Sequence, residues 1–442
     1  MFSLPKIPYI TSWYQSRSVG ASAAADGAVV DLPPVPVHHI ETATEKPART
    51  LKHLIRLNHI NNAVYFNNNL FHNHVVHLLA SAYLLGADGN HLNKLYEEES
   101  QPLSRWTESP SEIIREDWRD YLGKKEYQRA YVDFFEDEIY HLRYDWEGVL
   151  KKFLFNGKHP LINNLVAGLT HPLIHLAYAY ELGHKDVAVE ALVLATTSYD
   201  DKHKYLDNPS YLKEPARYST KSILEILAKI KNDSQFDGVF RRPGYHNIEL
   251  LYSKYEKVLL DHWRAWDLTP VQHSSGKSNL NTQFQQAQYA AAALAVGSTT
   301  SYVDKDHPEK KHDFFLIHIL TSLHAIRVLL PIIPAEYHTS LLRQWHLVVV
   351  TLYITQLRPS IDPDEIARYP TKNRDWSWAE MQALTGEWAN DAHFVKTVRA
   401  LKAAGATWEE EKWWYLRAAL KFIDEFKGWG GHTGAVPNLS AF

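Results

Sequence analysis

Apolar side chains recur at helical spacing along most of this chain, beginning near residue 50. The apolar positions fall three or four residues apart, which places them on one face of an α-helix. Strand-like alternation bounded by turn residues does not recur along the chain. The pattern therefore predicts an all-α fold. The predicted helices lie near residues 71–86, 110–121, 126–141, 171–182, 185–200, 219–230, 248–262, 283–296, 312–330, 335–356, 375–388, 391–403 and 409–426.

Glycines and polar stretches suggest where these helices end. Gly86, Gly183 and Gly405 each follow an apolar segment, and glycine is the favoured residue just past a helix end. The polar, Gly/Pro/Ser-containing stretches 201–247 and 264–282 predict long loops. Loops of that length in a compact domain are usually functional or disordered.

The first 50 residues differ from the rest of the chain. They contain Pro33-Pro34-Val35-Pro36, which favours extended backbone, and they show no helical pattern. We therefore expect residues 1–50 to form an extended N-terminal arm. Residues 51–442 are expected to form one large helical domain, because no linker or repeat divides them.

Composition excludes several classes of protein. The chain has no cysteine, which rules out disulfides, thiolate zinc sites, iron–sulfur clusters and cysteine nucleophiles. Its 47 basic and 51 acidic residues give a net charge of −4, so nothing favours a nucleic-acid or anionic-membrane partner. No apolar run approaches the length of a bilayer span, and residues 1–25 lack the apolar core of a secretory signal. We expect a cytoplasmic protein.

Histidine is the residue that stands out. The chain has 25 histidines, more than its 19 glycines or 21 prolines, and histidine is the commonest metal ligand. A Gly-x-Gly-x-x-Gly motif after a strand is missing, and the glycines between 428 and 434 follow the last predicted helix. This argues against a Rossmann site for flavin or nicotinamide.

Two histidine clusters lie at predicted helix starts. In the segment 71–78, His74 projects beside the apolar stripe, whereas His72 and His77 lie further round the helix. In the second cluster, Pro172 favours the first helical position and puts His171 at the helix cap, four residues before His175. A pair of histidines at this spacing can chelate a metal. The alternative for each is a core histidine bonded to a carbonyl group.

Two further clusters lie within and at the start of later helices. The helix that contains His318 is apolar nearly all round, which predicts burial, and His324 points about 120° away from His318. Asn390 or Asp391 is expected to cap the next histidine-containing helix, in which His393 and Lys396 are neighbours on one face. A buried water bonded to His318, and a solvated Lys396 paired with an acid, remain alternatives.

Four helices that each offer an inward histidine form the constellation of a helical-bundle metal site. Nitrogen ligands suit iron, copper, zinc or nickel and do not suit Mg²⁺ or Ca²⁺. Neutral imidazoles do not balance the charge of a dication, so we expect an anionic ligand nearby.

Taken in chain order, these motifs resemble the questin oxidase-like family over about residues 55–430. The resemblance implies fungal tailoring of aromatic polyketides, in which the central ring of an anthraquinone is opened oxidatively to benzophenone or xanthone-type products. The motifs that carry it are Asn73-His74 with Leu84-Leu85-Gly86-Ala87, His171-Pro172-Leu173-Ile174-His175, His318 to Arg327, and Asp391-Ala392-His393-Phe394-Val395-Lys396.

The resemblance also implies a mononuclear non-haem iron held by four histidines and a carboxylated lysine. By motif position these are His74, His171, His318, His393 and Lys396. A neutral lysine amine can take up CO₂ as a carbamate, which would supply the anionic ligand, and burial near a cation favours the neutral amine. We expect Fe(II) and O₂ to act on the hydroquinone or phenolate form of the substrate and to break a C–C bond beside its carbonyl group.

His175, His324 and Tyr178 are expected to support the ligands or to act as acid–base groups. Aromatic residues make up 12% of the chain, enough to line a flat apolar pocket for an aromatic polyketide.

Three alternatives remain open at this point. The first is a Baeyer–Villiger-type monooxygenase acting on the same substrates, with NADPH as the reductant. The second is a helical metal-dependent phosphohydrolase, because His312-Asp313 resembles the His-Asp pair of such enzymes. The third is a helical scaffold in which the histidines are incidental. Iron content near one per chain would favour the oxygenase, two metals the hydrolase, and none the scaffold.

Overall fold

A computed structural model of the chain describes residues 29–272, 278–299 and 311–431. Within these ranges the fold is all-α, as the apolar pattern predicts, and every strand is two residues long. The first nine helices are α1 (Lys46–Asn61), α2 (Val75–Leu84), α3 (Gly89–Glu99), α4 (Gln128–His141), α5 (Trp146–Phe155), α6 (His171–Leu182), α7 (Lys185–Thr197), α8 (Lys204–Asp207) and α9 (Ser210–Lys213). The others are α10 (Ile223–Lys231), α11 (Asn247–Arg264), α12 (Asn281–Gly297), α13 (Ile317–Leu329), α14 (His338–Thr355), α15 (Pro363–Ala367), α16 (Trp376–Thr385), α17 (Ala392–Thr407) and α18 (Lys412–Glu425).

The described residues contain four pairs of short strands, of which two are local hairpins and two join segments that are distant in the sequence. Three pairs are antiparallel, and the fourth is parallel and ties the start of α13 to the end of the described chain. The pairs are β1 (Tyr65–Phe66) with β2 (Phe71–His72), β3 (Val271–Gln272) with β4 (Ser278–Asn279), β5 (Ser298–Thr299) with β7 (Ser360–Ile361), and β6 (His312–Asp313) with β8 (Trp429–Gly430).

Four helices close a ring at the centre of the core. Helix α6 packs against α2 and α13, and α17 packs against the same two helices. Every residue of α6 and α13 is buried, which is the state expected of helices that are apolar nearly all round. Because the four helices face one another, any polar side chain on an inner face is removed from water and needs a partner there.

Several predicted boundaries are wrong. The segment 110–121 forms only a 3-10 turn at Trp118–Tyr121, because no continuous apolar stripe of it reaches the core. Gly405 lies inside α17, where it packs against Trp376 and Tyr415 and does not end the helix. Gly183 does end α6, in the left-handed conformation that favours glycine.

The predicted loops contain more order than expected. The stretch 201–247 includes α8, α9 and α10, and within 264–282 the described residues form the β3–β4 pair, with 273–277 outside the described ranges. The pattern also fails to show α3 and α5, which are short and carry many charged residues.

Only the second part of the predicted arm, from residue 29 on, lies in the described residues. Helix α1 begins at Lys46, within the range 1–50, and residues 1–28 of that range lie outside the described residues. Residues 29–45 are not helical but lie against the domain. Ile40 is fully buried, and the backbone of His38 donates to the Glu181 carbonyl of α6 at 2.7 Å.

No described helix combines the length and the apolar character that crossing a membrane requires.

Candidate metal centre

The four histidines predicted as ligands meet between helices α2, α6, α13 and α17. The Nε2 atoms of His74 and His171 lie 2.9 Å apart. The ring centroid of His393 is 4.6 Å from that of His74 and 5.0 Å from that of His318, and the His171 and His318 centroids are 5.2 Å apart. All four side chains are buried. Residues separated by more than 300 positions therefore enclose one point in the core.

An unusual turn places His171 at the start of α6. Gly168, Leu169 and Thr170 all have positive φ, at 56°, 52° and 68°, so three successive residues adopt the left-handed conformation. A Cβ on Gly168 would lie 2.5 Å from the Ser198 Oγ, so only glycine fits there. The carbonyl of Gly168 accepts a hydrogen bond from the His171 Nδ1 at 2.8 Å. Thr170 is thus the cap and His171 the first helical residue, so the helix begins one residue earlier than Pro172 suggested.

The bond to Gly168 also fixes the tautomer of His171. Its proton lies on Nδ1, which leaves the Nε2 lone pair facing the centre. His318 is held in the same way, because its Nδ1 donates to the Phe314 carbonyl at 2.8 Å, and its Nε2 has no hydrogen-bond partner in the part of the chain that the structure describes. Backbone carbonyl groups commonly orient ligating histidines in this way.

Polar caps position the other two histidines. Asp391 caps α17, where it accepts the Phe394 N–H and the Trp429 Nε1–H, both at 2.8 Å, and this fixes the first turn that carries His393. Asn73 precedes α2, donates to Asn58 Oδ1 at 2.9 Å and accepts the Val75 N–H at 3.0 Å. His74 is therefore fixed at the N-cap position of α2.

Burial lowers the pKa of each of these four histidines well below its usual value, and the nearby Lys396 ammonium and the other imidazoles act in the same direction. The four rings are therefore neutral at physiological pH. Neutral imidazole is the form that binds metal ions.

Lys396 lies one turn along α17 from His393, and its side chain is buried. Its Nζ has no hydrogen-bond partner within the described ranges, so the solvated, acid-paired alternative is wrong. Burial lowers the pKa of Lys396 to about 7, against the opposing charges of Asp391 and Glu99. A buried amine without a partner is costly. The lone pair of such an amine is available to a ligand or reagent that is not part of the polypeptide.

Two more histidines lie beside His74, His171, His318 and His393, and we call the six together the histidine cluster. The helical pattern had placed these two on another side of the helix. The ring of His72 stacks on that of His171, with centroids 3.8 Å apart and planes 4° from parallel. The ring of His77 lies 5.3 Å from that of His74. Because α2 begins only at Val75, His72 lies in β2, and a helical projection of 71–78 does not apply to it. The spacing of three histidines within six residues was the available signal.

The three predicted acid–base residues lie on two sides of the cluster. His175 bonds to His77 on one side. Elsewhere beside the cluster, Tyr178 and His324 line a small cleft together with Lys396 and Arg399. The remaining lining residues are Ile174, Ala177, Glu181, Thr321 and Ala325.

Polar and charged side chains make up most of the lining of this cleft. The guanidinium group of Arg399 forms a buried ion pair with Glu181 and lies 5.2 Å from the ring centroid of Tyr178. Neither ring nitrogen of His324 has a hydrogen-bond partner among the described residues, and burial lowers its pKa well below the usual value.

The model of the questin oxidase-like family matches residues 71–401, which is most of the chain and includes all five predicted ligands. The chain belongs to the questin oxidase-like family. This membership confirms the resemblance that the ordered motifs indicated.

Fungal members of the family are similar over most of their length. A protein named Baeyer-Villiger oxidase from Pestalotiopsis microspora is 25% identical over 84% of this chain and 82% of its own. The oxidoreductase AflY of Aspergillus parasiticus is 25% identical over 76% of this chain and 68% of its own. The questin oxidase of Aspergillus terreus is 23% identical over 80% of each chain. The questin oxidase-like chain described here is an oxidoreductase.

The motif that suggested a phosphohydrolase has a structural role in this questin oxidase-like protein. The Asp313 carboxylate accepts the backbone N–H groups of Phe315 and Leu316 at 2.8 and 3.0 Å, just before α13. The ring of His312 packs against Phe422 at a centroid distance of 4.9 Å. The pair thus joins the loop to the core, outside the histidine cluster.

A second group with metal-ligand spacing lies near the surface. His159 Nδ1 and His203 Nδ1 each lie 2.7 Å from the same oxygen of Asp207, and Asn163 donates to the other oxygen. These side chains are partly exposed and already satisfy one another. They provide a natural control for experiments on the buried centre.

Proposed function

We propose that this protein is a non-haem iron-dependent oxygenase that opens the central ring of an anthraquinone-type aromatic polyketide by breaking the C–C bond beside a ring carbonyl. The observation that carries the proposal is the convergence of four neutral imidazoles around one buried point, beside a lysine amine without a partner. The names of the relatives, questin oxidase and Baeyer-Villiger oxidase, supply the reaction class and the substrate class.

The residues present fit a metal ion. His74, His171 and His393 each offer a ring nitrogen within 4.8 Å of the others, and the buried ring of His318 lies 5.0 Å from that of His393 and 5.2 Å from that of His171. These four side chains would hold the ion. A divalent ion held by neutral ligands alone would remain uncompensated in the core. When bound, Fe(II) would supply the one-electron chemistry by which O₂ reacts with a closed-shell aromatic compound.

Lys396 would supply the missing negative charge as a carbamate. Its amine lone pair would form a C–N bond to CO₂, and one N–H proton would leave, which converts a neutral amine into an anionic oxygen ligand. The lowered pKa of about 7 favours this reaction, since only the unprotonated amine reacts. No carboxylate among the described residues bonds to Lys396, so a protein acid does not already take this role.

The small cleft beside Lys396 would contact one edge of the substrate. Arg399 and His324 can donate hydrogen bonds to quinone or phenolate oxygens, while Ile174, Ala177 and Ala325 provide apolar contact with the rings. Burial there excludes water, which strengthens hydrogen bonds to a phenolate. These residues would orient the carbonyl-bearing ring towards the histidine centre.

A Baeyer–Villiger-type monooxygenase is the second candidate, favoured by the names of several relatives. That reaction places one oxygen atom in the product and one in water, and it consumes two electrons from NADPH. A dioxygenase that is supplied with the reduced hydroquinone would place both oxygen atoms in the product and would need no NADPH, because the two electrons come from the hydroquinone itself. Mass spectrometry of products formed under ¹⁸O₂, with and without NADPH, distinguishes the two reactions.

Metal analysis tests the iron centre directly. The purified protein is expected to contain about one iron per chain, since the site offers a single set of buried imidazoles. Removal of the iron by a chelator should abolish substrate-dependent O₂ consumption, and Fe(II) but not Zn(II) should restore it. His318→Ala is expected to lose the iron.

His203→Gln is the matched control for this measurement, because it alters the partly exposed histidine group and leaves the buried one intact. It should retain the full iron content. If iron remained in His318→Ala and disappeared in His203→Gln, the metal would belong to the surface group and the proposal would be wrong.

A further inference from the structure

A line of hydrogen-bonded side chains leads from the histidine centre to the protein surface. His77 Nε2 lies 3.2 Å from His175 Nδ1, and His175 Nε2 lies 2.8 Å from Glu190 Oε2. The other carboxylate oxygen of Glu190 lies 2.9 Å from His59 Nδ1, and His59 Nε2 lies 3.3 Å from Glu136 Oε1. Five side chains are thus joined by four consecutive contacts within hydrogen-bonding distance.

The two ends of this line differ in exposure. Glu136, on α4, has a side chain that is 46% exposed and therefore meets water. The other four side chains, on α1, α2, α6 and α7, are buried. At the inner end, the ring of His77 lies 5.3 Å from the ring of His74, and its Nδ1 has no hydrogen-bond partner in the described ranges. The line therefore connects solvent to a free ring nitrogen in the cluster.

An ion pair with a purely structural role would need only two side chains, whereas this line contains five. His59 and Glu190 alone would satisfy each other, yet Glu190 also bonds to His175, and His175 continues to His77. Every additional polar group in a core has a desolvation cost. Imidazole and carboxyl groups share one relevant property, which is that each can accept a proton at one atom and release one at another.

One arrangement of protons satisfies every contact. His59 donates from both ring nitrogens to Glu190 and Glu136. His175 donates from Nε2 to Glu190 and accepts at Nδ1 from the Nε2–H of His77. This arrangement leaves a lone pair on His77 Nδ1. The line is therefore set to take a proton from the centre and pass it outwards.

We propose that His77, His175, Glu190, His59 and Glu136 form a proton path that carries protons from the buried histidine centre to solvent. The proposal rests on the proposed function for its purpose, because a hydroquinone or phenol that is oxidised at the centre must release its hydroxyl protons.

The transfer balances without a further reactant. His77 takes a proton at Nδ1 and passes its Nε2 proton to His175, which passes its own Nε2 proton to Glu190. His59 gives its Nε2 proton to Glu136 and hence to water. The His59 ring then turns so that its unprotonated Nε2 faces Glu190 and takes the carboxyl proton, and the rings of His77 and His175 turn to restore their first tautomers. One proton enters, one leaves, and no electron moves.

The test measures exchange of the ring N–H groups with solvent in the metal-free protein, by ¹H–¹⁵N NMR of ¹⁵N-histidine-labelled samples. In the unaltered protein, the His175 ring N–H should exchange far faster than the backbone amides of α7, although both are buried. Glu190→Gln keeps the shape of the side chain but cannot relay a proton, so it should slow this exchange at least about 10-fold. His59→Gln breaks the next contact and should slow it similarly.

Slower exchange cannot result from a damaged fold, because destabilisation opens the structure and accelerates exchange. Glu138→Gln is the matched control, since Glu138 is a buried carboxylate of α4 that pairs with Arg115 and Lys152 instead. It should leave ring exchange within about 2-fold of the unaltered rate. The path would be refuted by ring exchange no faster than that of the α7 amides, or by exchange that neither variant slows.

A second readout links the path to catalysis. With full iron content, Glu190→Gln is expected to lower kcat at least about 10-fold with little change in KM, and to raise the solvent deuterium isotope effect. An unchanged kcat and isotope effect would overturn a role in turnover. Failure of the oxygenase proposal itself would appear as absent iron or absent turnover in the unaltered protein, whereas the exchange measurement would still decide on the path.

Discussion

Replacing Lys396 with methionine is expected to weaken iron binding at least about 100-fold and to lower substrate-dependent O₂ consumption about 1000-fold. Methionine fills the same buried volume, but it cannot form a carbamate, so the charge of the dication would remain uncompensated. Iron per chain and initial O₂ consumption measure the two effects. In the unaltered protein, ¹³CO₂ should also produce a carbamate carbon signal in NMR that Lys396→Met lacks.

Lys421→Met provides the matched control. Lys421 is also a fully buried lysine, but its amine bonds to Glu365 at 2.9 Å and to Glu425 at 2.6 Å. Its replacement should cost about 2 kcal/mol of the free energy of unfolding and leave iron and turnover unchanged, because both carboxylates are partly exposed. Full iron content and activity in Lys396→Met would contradict the role proposed for this lysine.

The stability of the metal-free protein is expected to fall as the pH rises from about 6.5 to about 10. Burial lowers the pKa of His59, but hydrogen bonds with Glu136 and Glu190 and the nearby carboxylate charges outweigh it and raise the pKa to about 10. A group with a raised folded-state pKa contributes fully below its unfolded value and loses that contribution through the folded value. The expected loss is about 3 kcal/mol.

The variant His59→Gln isolates the contribution of His59 to this pH dependence of stability. Glutamine does not titrate, so the part of the slope between pH 6.5 and 10 that His59 causes should vanish in chemical unfolding curves of the variant. Glu190, whose pKa burial raises but the His175 and His59 hydrogen bonds lower to about 2, contributes in the acid range instead. Parallel stability curves for both proteins above pH 6.5 would show that His59 is not charged in the folded state.

The sequence predicts the helices well where an apolar face is long and continuous. Helices α6 and α14 lie close to their predicted limits, because burial on nearly every side leaves a dense apolar pattern. Helix α13 ends where predicted but begins at Ile317 rather than at 312, because His312–Asp313 form β6. Helix α3 escapes prediction because it is short and ends in a run of acidic residues. Helix α5 is missed although its buried residues Val149, Leu150, Phe153 and Leu154 do fall at helical spacing. The 3-10 turn at Trp118–Tyr121 shows the opposite error, in which apolar residues pack without forming a helix.

The candidate site is harder to predict from single helices. The histidine motifs indicate His74, His171, His318 and His393, and these rings do converge. His77, however, projects away from the apolar stripe of α2 and still faces the cluster, because α6 covers that side of the helix. A helical projection describes one element, whereas burial depends on its neighbours.

For the same reason, the burial of Lys396 and the proton path could not be predicted from single helices. Lys396 lies beside the apolar stripe of α17, and its position alone is consistent with solvent exposure. Only the packing of α17 against both α2 and α13 removes it from water. Likewise, Glu190 and His59 are 131 residues apart, and no spacing rule relates them.

The left-handed turn at Gly168–Thr170 has a consequence for protein engineering. His171 is held by backbone geometry as well as by its own packing, since its Nδ1 bonds to the carbonyl of the residue that begins the turn. A designed helical bundle that copied only the four imidazoles and Lys396 would leave that ring free to rotate. Transplanting the centre into a new scaffold would therefore require the turn to be copied together with the side chains.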